Sequence, residues 1–364
     1  MASFISRTAI AALLCAASTT AHSHVTNIVI NGISYQGYDP TTFPYRKPPP
    51  VVVGWSASQN DNGFVDGDVY SNGDIICHKS AKPAGGHAPI RAGERVFIQW
   101  ETWPSSHKGP VIDYLANCGE SCEKADKTKL EFFKIDAVGL VSASKNNGNW
   151  GTDQLIANNN SWMVEIPGNI APGNYVLRHE IIALHSAGQK NGAQNYPQCF
   201  NLQVLEGGSD APSGTLGTQL YKADDPGLKV NIYSSISNYE VPGPSMYSGA
   251  VSIAQAASAI TSSASAITGT ATEVPGVAGP DQPGTTPAPG RGGTRPIPTL
   301  SSGGSGSTLT GDAGSGSSGN GNGNGNGNNN GNSQGSGSPF DNGAGASSTS
   351  FPRIEPCSET YQLT

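Results

Sequence analysis

Arg95-Val96-Phe97-Ile98-Gln99-Trp100 mixes polar and apolar positions as a strand buried on one side does, and this kind of run sets the fold. Similar β-rich runs recur at residues 27–30, 51–55, 130–135, 161–166, 174–184 and 200–205. Residues 111–115 could add a further short strand. Turn signals punctuate the series, Asn31-Gly32 after the first run and three prolines, Pro48 to Pro50, before the second. Helical periodicity is nearly absent. Many short strands between Gly, Pro and Asn turns predict an all-β chain: an immunoglobulin-like or fibronectin-like β-sandwich with long surface loops, followed by a disordered tail. Residues 37–50 and 103–129 are long for connections, and long loops on a rigid sandwich are where function usually sits.

The chain has 364 residues, and its 48 glycines and 26 prolines mean that not all of it can fold. Beyond residue 249 it is dominated by Ser, Ala, Gly, Thr, Asn and Pro, and residues 320–332 are nearly pure Gly and Asn. Such segments bury too little apolar surface to offset chain entropy. The expected organisation is a signal peptide over 1–21, a folded domain over 22–249, a linker over 250–350 and a short tail over 351–364. The opening, MASFISRTAIAALLCAASTTAHSH, has Arg7, a short apolar run and a small-residue stretch, which is the layout of a secretory signal. Cleavage after Ala21 would expose His22, and cleavage after Ser23 would expose His24; signal-peptide rules leave both open. A terminal histidine offers a free amine and an imidazole on one residue, a natural chelate. The net charge of −7 argues against nucleic acid. No later stretch is apolar enough for a membrane span, so a secreted, extracellular monomer is expected.

Six cysteines are present. Cys15 leaves with the signal and Cys357 sits in the tail without an obvious partner. Four remain, Cys77, Cys118, Cys122 and Cys199, which allow three pairings in an oxidising compartment. Cys118-Gly119-Glu120-Ser121-Cys122 reads as a local loop staple, leaving Cys77 with Cys199. Asn159-Asn160-Ser161 is a glycosylation sequon at Asn159.

All seven histidines lie after residue 21. His179-Glu180 is not a zinc-protease signature, because the next histidine follows six residues later on what reads as one strand. That even spacing would put His179 and His185 on one strand face, His179 as a core residue. His87, between glycines and a proline, and His107, in Trp103-Pro104-Ser105-Ser106-His107-Lys108-Gly109-Pro110, compete as partners for the terminus. Flanking prolines stiffen the His107 loop. Tyr196, in Gln194-Asn195-Tyr196-Pro197-Gln198-Cys199, reads as a core tyrosine or a ligand. Acids are few and scattered, so no glycosidase carboxylate pair can be assigned.

Read together, HSHVTNIVING, GFVDGDVY, DIICHK, WPSSHKGPVIDYLANC, LEFFKID, APGNYVLRHEIIALHSAGQ and GAQNYPQCFNLQV resemble the fungal lytic polysaccharide monooxygenases of auxiliary activity family nine, once called glycoside hydrolase family sixty-one. The resemblance runs through nearly all of residues 22–249 and leaves out the linker and tail. It implies cleavage before His22, and one copper ion held by the amine and ring of His22, the ring of His107 and, axially, Tyr196. It implies that His185 and Gln194 position the oxygen co-substrate, and that the disulfides are Cys77–Cys199 and Cys118–Cys122. It places Tyr45 and Tyr233 on a flat face that meets cellulose or a related β-1,4-glucan; their alternative is ordinary core packing. Oxidation at carbon 1 or carbon 4, with dioxygen or peroxide and an external electron donor, completes the expectation. The rivals are a noncatalytic carbohydrate-binding sandwich and a copper-binding protein without polysaccharide activity.

Overall fold

In the computed structural model, which describes residues 23–143 and 147–275, the apolar runs become fourteen strands. They begin with β1 (Val25–Ile30), β2 (Ile33–Gln36), β3 (Val65–Asp66), β4 (Ala88–Ile90) and β5 (Arg95–Trp100). The middle of the chain gives β6 (Val111–Asn117), β7 (Glu131–Val138), β8 (Leu140–Ser142), β9 (Asn149–Trp150) and β10 (Ser161–Glu165). The last four are β11 (Gly173–Ala183), β12 (Gln194–Val204), β13 (Thr215–Leu216) and β14 (Ser262–Ala264). Two short helices accompany them, α1 (Asp74–Cys77) and α2 (Gly151–Ala157). His22, Cys15, Cys357 and all of the tail lie outside the described residues.

One sheet runs β10-β5-β1-β2-β14 and the other β13-β7-β6-β11-β12-β3, with β4 parallel beside β12. The two pack as the expected sandwich. Asn31 and Gly32 both take positive φ, 51° and 79°, and close the β1–β2 hairpin in two residues. Between the sheets, Ile28, Ile98, Trp100 and Trp162 meet Leu115, Ile135, Leu177 and Phe200. Each such side chain contributes about 1.5–3 kcal/mol when fully buried. The second sheet also buries its outer face, where Ile76, Tyr114, Val176, Ile182 and Tyr221 pack beneath the long loops. This is why β11 is buried continuously from Tyr175 to Ala183 rather than in alternation.

Residues 51–55 do not form the expected strand. Val53 N–H donates to the Gln36 carbonyl, on β2, while Trp55 N–H donates to the Cys199 carbonyl, on β12. The segment bridges the two sheets and so joins neither. His185 also departs from expectation: β11 ends at Ala183, and Ala187 N–H closes a turn onto the Leu184 carbonyl. His185 therefore sits in a loop, not on the strand face of His179. His179 is a core residue, its Nδ1 2.8 Å from Asp113 Oδ1 and its Nε2 accepting the Trp100 indole N–H at 2.9 Å. Both disulfides form with the pairing read from the sequence, at Cα separations of 5.3 Å (Cys77–Cys199) and 5.2 Å (Cys118–Cys122). Among the described residues no helix is long and apolar enough to cross a membrane.

The packed chain continues past residue 249. β14 pairs with β2 in parallel, and Ile253 covers Val29, Phe97 and Met163. The Gln255 side chain accepts from Met163 N–H and donates to its carbonyl. Small residues and serines serve here because the segment adds an edge and a cover and needs no core of its own. A chain ending at Gly249 should expose Val29, Phe97 and Met163 and lose about 2 kcal/mol or more. Thermal unfolding of the two purified forms should then differ by about 4–8 °C. Equal melting temperatures would show that residues 250–275 add nothing to stability.

Candidate metal centre

Two backbone contacts bring His107 to His185. Leu184 N–H donates to the Lys108 carbonyl at 2.8 Å, and Ile182 N–H to the Pro110 carbonyl at 3.1 Å. Between them lies Gly109, where a Cβ would stand 1.9 Å from the Ile182 carbonyl oxygen; only glycine allows this approach. The loop is also fixed from its other side. Gly109 N–H donates to Thr152 Oγ1, and Lys108 Nζ pairs with Asp153 Oδ1 at 2.8 Å, both partners on α2. The imidazoles of His107 and His185 consequently lie 4.1 Å apart between centroids, tilted by 39°.

Trp103 is the wall of the site. Its indole N–H donates to the His107 carbonyl at 3.0 Å, and its ring stands edge-on to Tyr196 at 4.9 Å. Ser106 Oγ lies 3.1 Å from His107 Nδ1, so ligation by His107 would fall to Nε2. On β12, Gln194 and Tyr196 share a face by their spacing of two, and the Tyr196 hydroxyl donates to Gln194 Oε1 at 3.0 Å. Burial, with a smaller contribution from the Asp61 charge, drives the Tyr196 phenol well above its ordinary pKa. In the metal-free protein the phenol therefore stays protonated. With Gln194 Oε1 taken by that proton, the amide Nε2 is the end left to act as a donor.

The donors offered to a metal here are the His107 imidazole and the Tyr196 phenol, with the His185 imidazole beside them and no thiolate. Imidazole nitrogen suits copper, which also tops the divalent affinity order. Among the described residues no cluster of three or more His, Cys, Asp or Glu could by itself hold a metal ion. The set therefore fits copper once a further nitrogen chelate joins it, which His22 would provide. His87 is not near this place. Its backbone pairs with Ile267, and the adjoining Ala88 pairs with Leu202, eight residues along β12 from Gln194. At strand rise that is about 27 Å.

Tyr45 and Tyr233 are exposed, at 75% and 62%, rather than packed in the core. Tyr45 ends a 3-10 turn anchored by buried Phe43. Tyr233 lies two residues after Asn231, which sits against Gly188 in the His185 loop; a Cβ on Gly188 would come within 3.4 Å of Asn231 Cβ. Asn159 is exposed in a turn, as a glycan acceptor must be.

The profile of Auxiliary Activity family 9, formerly GH61, matches residues 22–240. The chain belongs to this family of lytic polysaccharide monooxygenases. It is 59% identical over 255 residues to the AA9 family lytic polysaccharide monooxygenase cel61A of Hypocrea jecorina, covering 70% of this chain and 74% of that one. It is 55% identical over 259 residues to AA9 family lytic polysaccharide monooxygenase D of Podospora anserina, covering 71% and 75%. The solved extended catalytic domain of H. jecorina LPMO9A superposes with a TM-score of 0.66 at 61% identity, covering 68% of this chain and all of that one.

Behind the family 9 site lies a buried charged network that the sequence reading did not pick out. Arg178 donates to Glu180 Oε2 at 2.6 Å and to the carbonyls of Ile75 and Ile76. Glu180 Oε1 accepts from Asn195, the residue between Gln194 and Tyr196, and the Tyr221 hydroxyl donates to Oε2. The carboxylate and guanidinium are fully buried and each of these bonds is charge-assisted, which fixes this stretch of β12 from behind. The signal was in the chain: Arg178 and Glu180, two apart on a strand flanked by apolar residues, share one face and pair there when it is buried.

Proposed function

We propose that this monooxygenase is secreted and copper-dependent, and that it cleaves β-1,4-glucosidic bonds of cellulose or a related glucan at carbon 1 or carbon 4. The observation that carries the reading is the convergence of His107, His185, Gln194 and Tyr196 from three separate segments on one spot. His22, with its amine and ring, His107 and Tyr196 would hold the copper ion. Bound there, copper supplies the one-electron redox chemistry that, with an external electron donor and dioxygen or peroxide, oxidises the sugar carbon. The protein's own share is arrangement. His185 and the Gln194 amide present donors toward the oxygen co-substrate, a preorganised electrostatic role. Tyr45 and Tyr233 offer flat apolar faces to the sugar rings.

Support for His22 as the first residue comes from its neighbour two places on. His24 is only 4% exposed, and its Nδ1 already lies 3.1 Å from both Asn62 Oδ1 and Glu101 Oε2. A chain cut after Ser23 would have to chelate with a ring committed elsewhere. Intact-mass and N-terminal analysis of the secreted protein should therefore find His22 first. A mature chain beginning at His24 would contradict the proposed ligand set. Because the terminal amine must lose its proton, with an ordinary pKa of about 7.7–8.0, copper affinity should weaken in acid.

A further inference from the structure

We propose that His24 is a positioning residue: clamped by Asn62 and Glu101, it holds the N-terminal arm where residue 22 can chelate, before any metal arrives. The inference rests on His22 being a copper ligand. His24 is the node at which three segments meet. Its ring Nδ1 reaches Asn62 Oδ1 and Glu101 Oε2, each at 3.1 Å, and its carbonyl accepts the Glu101 N–H at 3.1 Å. Glu101 directly follows β5 and opens the segment that carries His107.

Asn62 belongs to a turn that is itself held on both sides. It takes a left-handed φ of 52°, a conformation asparagine tolerates, and its N–H donates to the Gln59 carbonyl at 2.7 Å. The next residue, Gly63, gives its carbonyl to His78 Nε2 at 2.9 Å. His78 Nδ1 accepts the Lys79 N–H, which places the ring proton on Nε2, and burial lowers the His78 pKa to about 4, so this donor stays neutral and fixed. His78 adjoins Cys77, stapled to Cys199 on β12. On the other side of the turn, Phe64 packs on the Tyr196 ring at 6.0 Å.

The clamp thus ties the arm to the tyrosine side of the site and to the root of the His107 loop together. Ser23, the only residue between the clamp and residue 22, is fully buried, so little freedom remains between them. Without the clamp, copper binding would have to order the arm, and ordering backbone is costly. Partners that orient metal ligands typically change affinity by about 10–100-fold, and the lower end is expected for a contact two residues away.

The test uses the secreted mature protein, with Asn62→Ala, Glu101→Ala, the double variant and Glu101→Gln, which keeps an acceptor. Three readouts are needed: copper affinity by calorimetry, the electron paramagnetic resonance spectrum of the cupric form, and deuterium uptake at residues 23–27 of the metal-free protein. The double variant should bind copper about tenfold more weakly, show altered copper hyperfine coupling and exchange faster at residues 23–27, with β11 and β12 unchanged. Glu101→Gln should recover most of the affinity. Parent-like affinity and spectrum in the double variant, with or without faster exchange of the arm, would overturn the clamp. If the double variant does not fold, each single variant should still lose affinity, and parent-like singles would overturn it equally. Failure of the copper reading is visible separately, in a parent that binds no copper or a His107→Ala variant that binds it as well as the parent; either would remove the clamp's purpose as well.

Discussion

His107→Ala is expected to abolish oxidative cleavage and to weaken copper binding by more than the about 10–100-fold that outer partners cost, because it deletes a ligand and not a support. The side chain is buried, lies beside His185 and touches the Trp103 ring edge-on and Ser106 Oγ, so the change should be read against folding. A thermal scan supplies the control. Copper at about one hundred times its dissociation constant should stabilise the parent by about 2.7 kcal/mol, a shift of roughly 5–11 °C. The variant should still melt cooperatively without metal and should lose that shift. His87→Ala, at the other end of β12, should keep both the affinity and the shift. If His87→Ala lost copper and His107→Ala kept it, the wrong loop would have been assigned.

The second large effect is expected at Gln194. Replacing it with alanine leaves the nitrogen donors untouched, so the protein should still bind one copper ion. What is lost is a preorganised donor toward the oxygen co-substrate, and such a loss costs about 10²–10³ in rate in other enzymes. The Tyr196 hydroxyl also loses its acceptor, so a stability loss of about 1–3 kcal/mol should accompany the rate effect. Adsorption to cellulose should persist if Tyr45 and Tyr233 supply the contact. Copper stoichiometry, adsorption and oxidised products should be measured on one preparation. Full activity would remove Gln194 from the chemistry, and loss of copper would place it among the ligands.

Much of this arrangement is legible in the chain. The Asn31-Gly32 hairpin, the strand at residues 95–100 and the Cys118–Cys122 staple follow from local rules, and Cys77–Cys199, 122 residues apart, follows as the pair that remains. The resemblance supplied His107 over His87; the residues alone gave only a stiffer loop. Its physical basis appears in Gly109, whose missing Cβ admits the Ile182 carbonyl and sets His107 beside His185. The misreadings also have causes. Residues 51–55 have a strand's composition, but their hydrogen bonds are divided between two sheets. His185 has strand spacing from His179, but the chain turns at Leu184. Residues 250–275 have a linker's composition, yet a parallel edge beside β2 needs only backbone, and one Ile253 supplies the cover. Long-range pairing decided each case, and a single sequence does not carry it.

The central claim is that this fold and these residues cut a polysaccharide by oxidation. Mass spectrometry of the soluble products from cellulose, treated with the copper-loaded protein and a reductant, tests it most directly. The account predicts oligosaccharides oxidised at carbon 1 or carbon 4, dependent on both copper and reductant and absent with His107→Ala. Only unoxidised oligosaccharides, or the same products without copper, would contradict it.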